Sequence, residues 1–298
     1  MQKALLVTVI VPAFNAQDTI AGLIESLLRQ EYPKDSLEII IVDNNSTDKT
    51  NEIARRYPVK VLEEKIQSAS SARNTGLRSA MGEIIAWTDS DCIADSAWVW
   101  EGIRQIAEGK ADMVGGRVKF FGSGRLTLAQ RYDSITNMRN EAYIRDNHFA
   151  VTANLFAKRA VFDKIGPFMG EVKSGADAEW TRRAVKAGFR LIYEPRAVVY
   201  HPARRLPELL RKKKRVGTGL IRIWKARGMP YLRMLYMCFR LLLPKHPKEI
   251  RKRIKDSDTT VTGAEYIGLW CVSWLCSIVK LLGVLNTLTQ FPCLKSQS

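Results

Sequence analysis

Short apolar segments alternate with amphipathic ones through the first 120 residues of the chain. Strand-length apolar runs lie at Leu5–Val11, Glu38–Asp43, Val59–Glu63 and Glu83–Asp89, and helix-like segments at Thr19–Gln30, Asp48–Tyr57 and Ser70–Ala80. Runs such as "EIIIVD" are apolar throughout, which is typical of strands covered by helices on both faces. The pattern predicts an α/β fold with a mainly parallel sheet flanked by helices.

The next part of the chain is less regular. Residues 125–165 indicate one or two helices and a short apolar segment. A helix should then begin near Asp177 and Glu179, where acids suit the helix dipole, and end at Gly188. A pair of strands, Arg190–Tyr193 and Ala197–Tyr200, is predicted to follow and to end at His201.

Polar residues follow three of the predicted strands. Pro12, Phe14 and Asn15 come after the first strand, "DNNSTD" begins at Asp43 after the second, and "DSD" spans Asp89–Asp91 after the fourth. Ligands of such sheets bind outside the carboxyl ends of the strands, so these residues are candidates for one site. The glycine patterns G-x-G-x-x-G and G-x-x-x-x-G-K-[ST] are missing from these positions, which excludes the dinucleotide and P-loop versions of the architecture.

Asp89 and Asp91 place two like charges one residue apart at a strand end. Hard cations such as Mg²⁺ and Mn²⁺ prefer carboxylate oxygens together with phosphate oxygens and water. The pair therefore indicates a divalent cation that also holds the diphosphate of a nucleotide. The alternative is structural, with Asp89 in a turn and Asp91 or Asp95 capping the next helix.

Four motifs follow one another over residues 5 to 201: "TVIVPAFNAQDTI", "EIIIVDNNSTDKT", "SASSARNTGLRSAMGEIIAWTDSDC" and "GADAEWTRRAVKAGFRLIYEPRAVVYH". Together they resemble the motifs of the glycosyltransferases of family 2, which have the GT-A fold. The resemblance implies transfer of a sugar from a nucleoside-diphosphate sugar, dependent on Mg²⁺ or Mn²⁺, with inversion of the anomeric centre.

The resemblance also implies a role for each matching residue. Nucleotide contacts would come from Pro12, Phe14, Asn15, Asp43, Asn44, Arg73 and Asp89. Asp91 and His201 would be metal ligands, and Asp177 would be the catalytic base. Each also has a structural interpretation: Phe14 as core, Arg73 as a surface helix residue, Asp177 as a helix cap and His201 as a hydrogen-bonded strand-end residue.

The sequence departs from the family pattern at two positions. Asn44 and Ala176 stand where the family usually has acids, so Asn44 adds no charge and Asp177 lacks its acidic neighbour, for which Glu179 is the alternative. These departures keep open a catalytically idle homologue that recruits partners to membranes. The Q-x-x-R-W signature of processive synthases is also missing from the sequence, which favours transfer of one sugar per encounter.

The chain has a net charge of +17, which is concentrated in one region. Residues 204–255 contain 18 Lys and Arg against two acids, a balance of 18 − 2 = +16, and the remainder is nearly neutral. The region interleaves basic clusters with large apolar residues, and Arg233 and Arg240 fall on one helical face. This indicates helices in a membrane interface with anionic headgroups, whereas packing of a solvated basic face on the enzyme is the alternative.

A 20-residue apolar segment at 266–285 contains only one charge, Lys280. It is long enough to span a bilayer, and an interfacial or re-entrant helix fits equally well. We therefore predict a catalytic domain at 1–203 and a membrane-associating region at 204–298. The preceding basic residues place the enzyme at the cytoplasmic face of the cell membrane. The acceptor would then be embedded in the membrane, as a polyprenyl-linked saccharide, a polyprenyl phosphate or a glycolipid.

The remaining features narrow the class of protein. The five cysteines, Cys92, Cys238, Cys271, Cys276 and Cys293, are widely spaced and indicate free thiols in a reducing compartment. The apolar N-terminus is interpreted as the first core strand and not as a signal peptide. A nucleic-acid-binding protein is disfavoured because no recognition module is found. A nucleotidyltransferase is disfavoured because no triphosphate loop follows the first strand.

Overall fold

The computed structural model of the chain describes residues 4–170, 175–226, 228–257 and 260–289. The strands in these ranges are β1 Val7–Ala13, β2 Leu37–Asp43, β3 Lys60–Glu63, β4 Ile84–Thr88, β5 Ile93–Ala94, β6 Met113–Phe121, β7 Asn154–Lys158 and β8 Leu191–Pro202. The helices are α1 Ile20–Leu28, α2 Thr50–Ala54, α3 Ala69–Ser79, α4 Trp98–Ala107, α5 Leu128–Thr136, α6 Asn140–Asn147, α7 Arg159–Ile165, α8 Ala176–Lys186, α9 Leu206–Ala226, α10 Tyr231–Leu242, α11 Pro247–Lys255 and α12 Gly263–Thr289.

The strands form one mixed sheet in the order β3-β2-β1-β4-β7-β6-β8-β5. Parallel pairing joins β1 to β2 and β4, β2 to β3, and β6 to β8. Antiparallel pairing joins β7 to β4 and β6, and β5 to β8. The predicted α/β class with a mainly parallel sheet is therefore confirmed.

Alternate residues of the central strands pack into two separate hydrophobic cores. Val9 and Val11 of β1 face helices α1 and α4, whereas Ile10 faces α3 and α8. Trp87 of β4 packs on the second side against Trp180, at a ring-centroid distance of 6.3 Å. The unbroken apolar runs in the sequence thus reflect burial of both faces of the sheet.

The strands and helices predicted up to Asp89 are present, with boundaries moved by a few residues. The prediction of two strands at 190–193 and 197–200 was wrong, because β8 is one strand that shifts register opposite Gly116 and Arg117. Strand β6 was not predicted. Its segment "MVGGRVKFF" contains two glycines and two cations, which weaken the strand pattern.

A buried asparagine holds the register shift of β8. The Asn154 side chain donates to the carbonyls of Arg117 and Ala197, each at 2.9 Å, and accepts from Trp98 Nε1 at 2.8 Å. A Cβ atom on Gly116 would lie 2.4 Å from this asparagine, so glycine is required there. The shift lets β8 continue beside β6 as far as His201 and Pro202.

The described residues divide into two compact units. The sheet unit comprises residues 4–121, 138–170 and 176–202, and the helical unit comprises residues 122–137, 175 and 203–289, without the gaps named above. Helix α5 belongs to the helical unit although it precedes the last strands in sequence. The catalytic and membrane-associating roles assigned to 1–203 and 204–298 stay predictions.

Two glycines allow close contact between α9 and α12 inside the helical unit. A Cβ atom on Gly217 would lie 2.0 Å from the carbonyl oxygen of Lys280, and one on Gly283 would lie 2.1 Å from that of Lys214. Helix α12 also packs against α5, α10 and α11. The backbones of α9 and α12 are therefore in direct contact at this crossing.

Helix α12 is long and apolar enough over Gly263–Thr287 to cross a membrane, judged by length and composition alone. Part of it, 39% of the apolar window, is buried inside the protein. The four described cysteines, Cys92, Cys238, Cys271 and Cys276, are free thiols as predicted. Cys293 lies outside the described residues.

The tight helix crossing predicts a large effect of one methyl group. Gly283→Ala should destabilise the helical unit by about 1–3 kcal/mol, because overpacking forces two backbones apart. Gly22→Ala is the matched control, since no atom lies within 4 Å of its Cβ position in α1, and it should be neutral or stabilising. Denaturation in detergent measures the stability of both variants. Equal denaturation midpoints for the two variants would contradict the close contact between α9 and α12.

Candidate functional site

The register of the parallel strands brings three polar loops to one edge of the sheet. Ala13 at the end of β1 is level with Asp43 at the end of β2. On the other side of β1, Ile10 pairs with Trp87, so Asp89 follows at the level of Pro12. The chain order reverses between β1 and β4, which is where sheets of this kind bind ligands.

The loop after β1 contains three of the predicted nucleotide contacts. Pro12 is buried in the strand, and Phe14 is 45% exposed. Asn15 has a left-handed backbone, with φ of 47°. Its backbone amide donates to Ser46 Oγ at 3.0 Å, and its side-chain oxygen accepts from the Thr47 amide at 2.9 Å. Asn15 therefore ties the first loop to the second, while Phe14 presents a ring to solvent.

The loop after β2 begins with two buried polar residues. Asp43 is 6% exposed, and its Oδ2 accepts from the Ser46 amide at 3.3 Å. Its Oδ1 is buried and has no hydrogen-bond partner among the described residues. Asn44 donates to the carbonyls of Glu64 and Ile66 at 3.1 and 2.6 Å. Asn44 thus fixes the loop, and Asp43 retains an unsatisfied acceptor.

Arg73 of α3 forms an ion pair with Asp89, with 3.0 Å between its Nη2 and Oδ1 of the aspartate. The arginine is 9% exposed, which excludes the interpretation as an ordinary surface residue of a helix. Its buried Nε has no partner among the described residues. The pair therefore presents a further donor, the Arg73 Nε, at the same edge of the sheet.

Asp177 lies in the first turn of α8 and interacts electrostatically with both Arg73 and Asp89. Burial raises the pKa of its carboxyl above the usual aspartate value. The Arg73 guanidinium and a hydrogen bond from the Ala178 amide, at 2.8 Å, act to lower the pKa, and the Asp89 carboxylate acts to raise it. A half-buried acid with a raised pKa next to a cation suits proton transfer.

Asp91 contacts His201. Asp91 Oδ2 lies 3.4 Å from His201 Nε2, and the imidazole is fully buried. The other ring nitrogen, Nδ1, lies 2.7 Å from the carbonyl oxygen of Pro202. One ligand atom from each of Asp91, Cys92 and His201 lies within 4.8 Å of the other two. Carboxylate and imidazole fit a divalent cation such as Mn²⁺.

The pairing of β5 with β8 explains this cluster. Ile93 pairs with Tyr200 and Ala94 with Val199, so the antiparallel register continues with Cys92 opposite His201. Cys92 was predicted as a free thiol but not as a residue of the site, although it directly follows the two aspartates. Burial raises the pKa of its thiol well above the usual cysteine value, so Cys92 is a protonated neighbour of the carboxylate and imidazole.

Comparison with known proteins gives the family of the chain. The model of Glycosyl transferase family 2 matches residues 8–166, and the chain belongs to this family of enzymes. Glycosyltransferase AglE of Haloferax volcanii is 35% identical over 289 residues, an alignment that covers 94% of this chain and 95% of AglE. Poly(ribitol-phosphate) beta-N-acetylglucosaminyltransferase TarS of Staphylococcus aureus is 37% identical over 90 residues, 28% of this chain and 16% of TarS.

Solved structures share the GT-A fold. The mannosyltransferase PcManGT from Pyrobaculum calidifontis, in complex with GDP-Man and Mn²⁺, has a TM-score of 0.60 at 20% identity over 99% of this chain and 77% of its own. S. aureus TarS 1-349 in complex with UDP-GlcNAc has a TM-score of 0.53 at 20% identity over 95% of this chain and 92% of its own. At 20% identity, these comparisons establish the fold alone, and they confirm the expected GT-A fold.

Proposed function

We propose that this glycosyltransferase moves one sugar from a nucleoside-diphosphate sugar to a hydroxyl or phosphate of a lipid-linked acceptor, by a single inverting displacement assisted by Mg²⁺ or Mn²⁺. One observation carries the proposal. Arg73, Asp89 and Asp177 interact at the carboxyl edge of the sheet, and Asp43 ends β2 at the same edge. Asp43 Oδ1 and Arg73 Nε are buried there without partners among the described residues. Such atoms are expected to bond to a ligand.

The nucleotide would occupy the loops after β1 and β2. Phe14 offers an exposed ring for the base, and Asp43 offers its unsatisfied oxygen to a hydroxyl or amide donor. Arg73 would donate from Nε to the nucleotide while its Nη2 holds Asp89. Pro12, Asn15 and Asn44 shape the two loops from behind, and the nucleotide sugars bound by the structural neighbours support a donor of this class.

Asp91 and His201 would hold the divalent cation. When bound, the cation supplies a Lewis acid for the leaving diphosphate. The Mn²⁺ in the PcManGT complex supports this cofactor. His201 is fixed for the role because it is fully buried and Pro202 holds its other nitrogen, so Nε2 is directed toward Asp91.

Asp177 would act as the general base. Its ionised carboxylate takes the proton of the attacking acceptor hydroxyl as the bond from the anomeric carbon to the diphosphate breaks. Arg73 stabilises that ionised form, whereas burial and Asp89 oppose it, so the carboxylate is a stronger base than an exposed aspartate. When the acceptor is a phosphate that is already ionised, no base is required.

The helical unit provides the surface that would contact the membrane. Exposed apolar side chains on α10 are Tyr231, Leu232, Leu235, Tyr236, Met237, Phe239 and Leu242, and those on α12 are Ile267, Trp274, Leu275, Leu282 and Leu285. The exposed Arg233 and Arg240 lie among the α10 residues. This combination of apolar and basic side chains suits an anionic membrane surface and a lipid-linked acceptor, at the cytoplasmic face according to the distribution of charge.

Binding of the donor tests the proposed function directly. In a thermal-shift panel of nucleotide sugars, at least one donor should raise Tm, and the rise should increase with Mn²⁺. In the Asp91→Asn variant, the donor should still raise Tm, but Mn²⁺ should no longer increase that rise. Asp163→Asn, an exposed aspartate of the sheet unit, is the control. Equal donor affinity in Mn²⁺ and in chelator for the unaltered chain would contradict the metal role.

The role of Asp177 predicts both a mutant effect and a pH dependence. Asp177→Asn should reduce turnover about 10²-fold or more, the usual size of a general-base effect, while donor binding persists. Because the raised pKa keeps the carboxyl protonated at higher pH, turnover should fall on acidification through a pH above the ordinary aspartate value of about 3.9. Assays with a lipid extract as acceptor measure both.

The exposed aspartate provides the comparison for these assays. Asp163→Asn should keep full turnover and the same acid limb. A pH profile that stays flat down to the ordinary aspartate range, or full activity of Asp177→Asn, would remove Asp177 from the role of base.

Membrane binding should depend on the exposed residues of α10. The double variant Leu232→Glu/Phe239→Glu should weaken binding to anionic vesicles about 100-fold or more, because each side chain contributes about 1.5–3 kcal/mol when buried in an apolar phase. Met81→Glu, which alters an exposed residue of the sheet unit, should have no effect. Flotation with vesicles measures binding, and an unbound parent chain would contradict the membrane proposal.

A further inference from the structure

A short loop of the sheet unit packs against the start of α8, where Asp177 lies. It comprises residues 150–153, between α6 and β7, and we refer to it as the 150–153 loop. Three of its four residues, Ala150, Thr152 and Ala153, are at most 2% exposed. Its backbone forms hydrogen bonds to the first turns of α8. The position of the loop therefore bears on the position of the Asp177 carboxyl.

Thr181 is the residue of α8 that joins the helix to this loop. Its hydroxyl accepts a hydrogen bond from the Ala150 amide, with 3.3 Å between nitrogen and oxygen, and donates to the Asp177 carbonyl at 2.8 Å. The threonine is fully buried. One hydroxyl group thus connects two segments that are 31 residues apart in the sequence, and it does so at the backbone of the proposed base.

Asn140 of α6 holds the loop from the sheet side. Its side-chain oxygen accepts from the Val151 amide at 2.8 Å, and its side-chain nitrogen donates to the carbonyls of Gly116 and Asn154, each at 3.0 Å. The asparagine is 1% exposed. The 150–153 loop is therefore anchored to β6 and β7 at the point where the register of β8 shifts.

A backbone amide of the loop acts on the Asp177 carboxyl. The Asn154 amide donates to the Val151 carbonyl at 3.3 Å, which closes a turn over residues 151–154. Hydrogen bonding from the Thr152 backbone in this turn lowers the pKa of Asp177, as does the bond from the Ala178 amide at 2.8 Å. Both contacts favour the ionised carboxylate, which is the form that a base requires.

The surroundings of Thr181 explain what its hydroxyl contributes. Trp180 and Ala184 on the same helix are apolar and fully buried, and valine has the same branched shape as threonine. A valine would therefore fill the position. Without the hydroxyl, however, the Ala150 amide would be buried without its partner, which is unfavourable enough to displace the loop.

We propose that Thr181 is a positioning residue for Asp177: by joining the 150–153 loop to α8, it holds the carboxylate where the acceptor hydroxyl is deprotonated. The inference rests on the proposed function, because it takes Asp177 as the base. Thr181 acts through the backbone and not by contact with the substrate. Such an effect is measurable because a displacement of about 1 Å can reduce the rate of a reaction about 10²-fold.

Removal of the hydroxyl tests this role. Thr181→Val should reduce turnover with a lipid extract as acceptor about 10- to 100-fold and leave the affinity for the donor unchanged. Thr181→Ser retains the hydroxyl and should restore most of the turnover. Turnover of Thr181→Val equal to that of the parent chain would overturn the proposal, and so would a loss of donor affinity as large as the loss of turnover.

Thr8→Val is the matched control. Thr8 is also fully buried, and its hydroxyl accepts from the Gly82 amide at 2.8 Å and donates to Glu38. It lies in β1 near the end of the strand opposite to Ala13 and the candidate site. Both valine variants should lower Tm, because each leaves a buried amide without its partner. An equal loss of turnover in both would reveal a general effect of stability and contradict the positioning role.

The charges around the proposed base are the same in the valine variant. Arg73 of α3 and Asp89 after β4 act on the Asp177 carboxyl. On α8 itself, Glu179 is paired with Arg183 at 3.1 Å. Because all four charges are retained, a change in the pKa of the carboxyl would come from its hydrogen bonds to the loop.

The pH profile therefore gives a readout that a loss of stability alone would not change. Weaker hydrogen bonding from the loop disfavours the ionised form and raises the pKa of Asp177. The acid limb of turnover in Thr181→Val should move to higher pH by roughly one unit. Thr8→Val should keep the acid limb of the parent chain, and an unchanged limb in Thr181→Val would overturn the proposal.

The variant Asp177→Asn separates this inference from the proposed function. If Asp177→Asn loses turnover and Thr181→Val does not, Asp177 remains the base and the positioning role is wrong. If Asp177→Asn keeps full turnover, or if the parent chain has no turnover, the role of Asp177 as base is wrong and the positioning role is wrong with it.

Discussion

The ion pair between Arg73 and Asp89 is the contact on which the candidate site depends. Arg73 is the one cation among the residues assigned to the nucleotide, and it interacts with Asp89 and Asp177 together. Four aspartates, Asp43, Asp89, Asp91 and Asp177, lie along the same sheet edge, so the acids assigned to the site outnumber its one assigned arginine. In the proposed function this imbalance favours a bound cation, which would allow the donor's anionic diphosphate to enter an acidic site.

The same ion pair explains the different roles proposed for the two aspartates of the D-S-D motif. Asp89 faces Arg73, whereas Asp91 faces His201 across the β5–β8 pair. The sequence places them one residue apart, but the tight turn between β4 and β5 sends their side chains to different partners. A single residue between the two acids therefore separates the proposed nucleotide contact from the proposed metal ligand.

Much of the sheet unit could be predicted because its strands and helices are recognisable from short stretches of sequence. Continuous apolar strands such as Glu38–Asp43 alternate with helices, and the position of each strand identifies the residues at its carboxyl end. The structure differs from the prediction where contacts between residues far apart in the sequence determine the strand pairing. Strand β6 forms because β7 and β8 pair with it, and the β8 register shift needs Asn154 from another strand. The unsatisfied atoms of Asp43 and Arg73 depend on tertiary burial, which no local pattern contains.

The helical unit has the opposite balance of charge to the sheet edge, because residues 204–255 contain 18 Lys and Arg against two acids. Attraction to anionic headgroups would require only exposed residues such as Arg233 and Arg240, which remain hydrated at a membrane surface. The close crossing of α9 and α12 at Gly217 and Gly283 is a different kind of feature. It depends on a contact between residues far apart in the chain, so sequence periodicity does not reveal it.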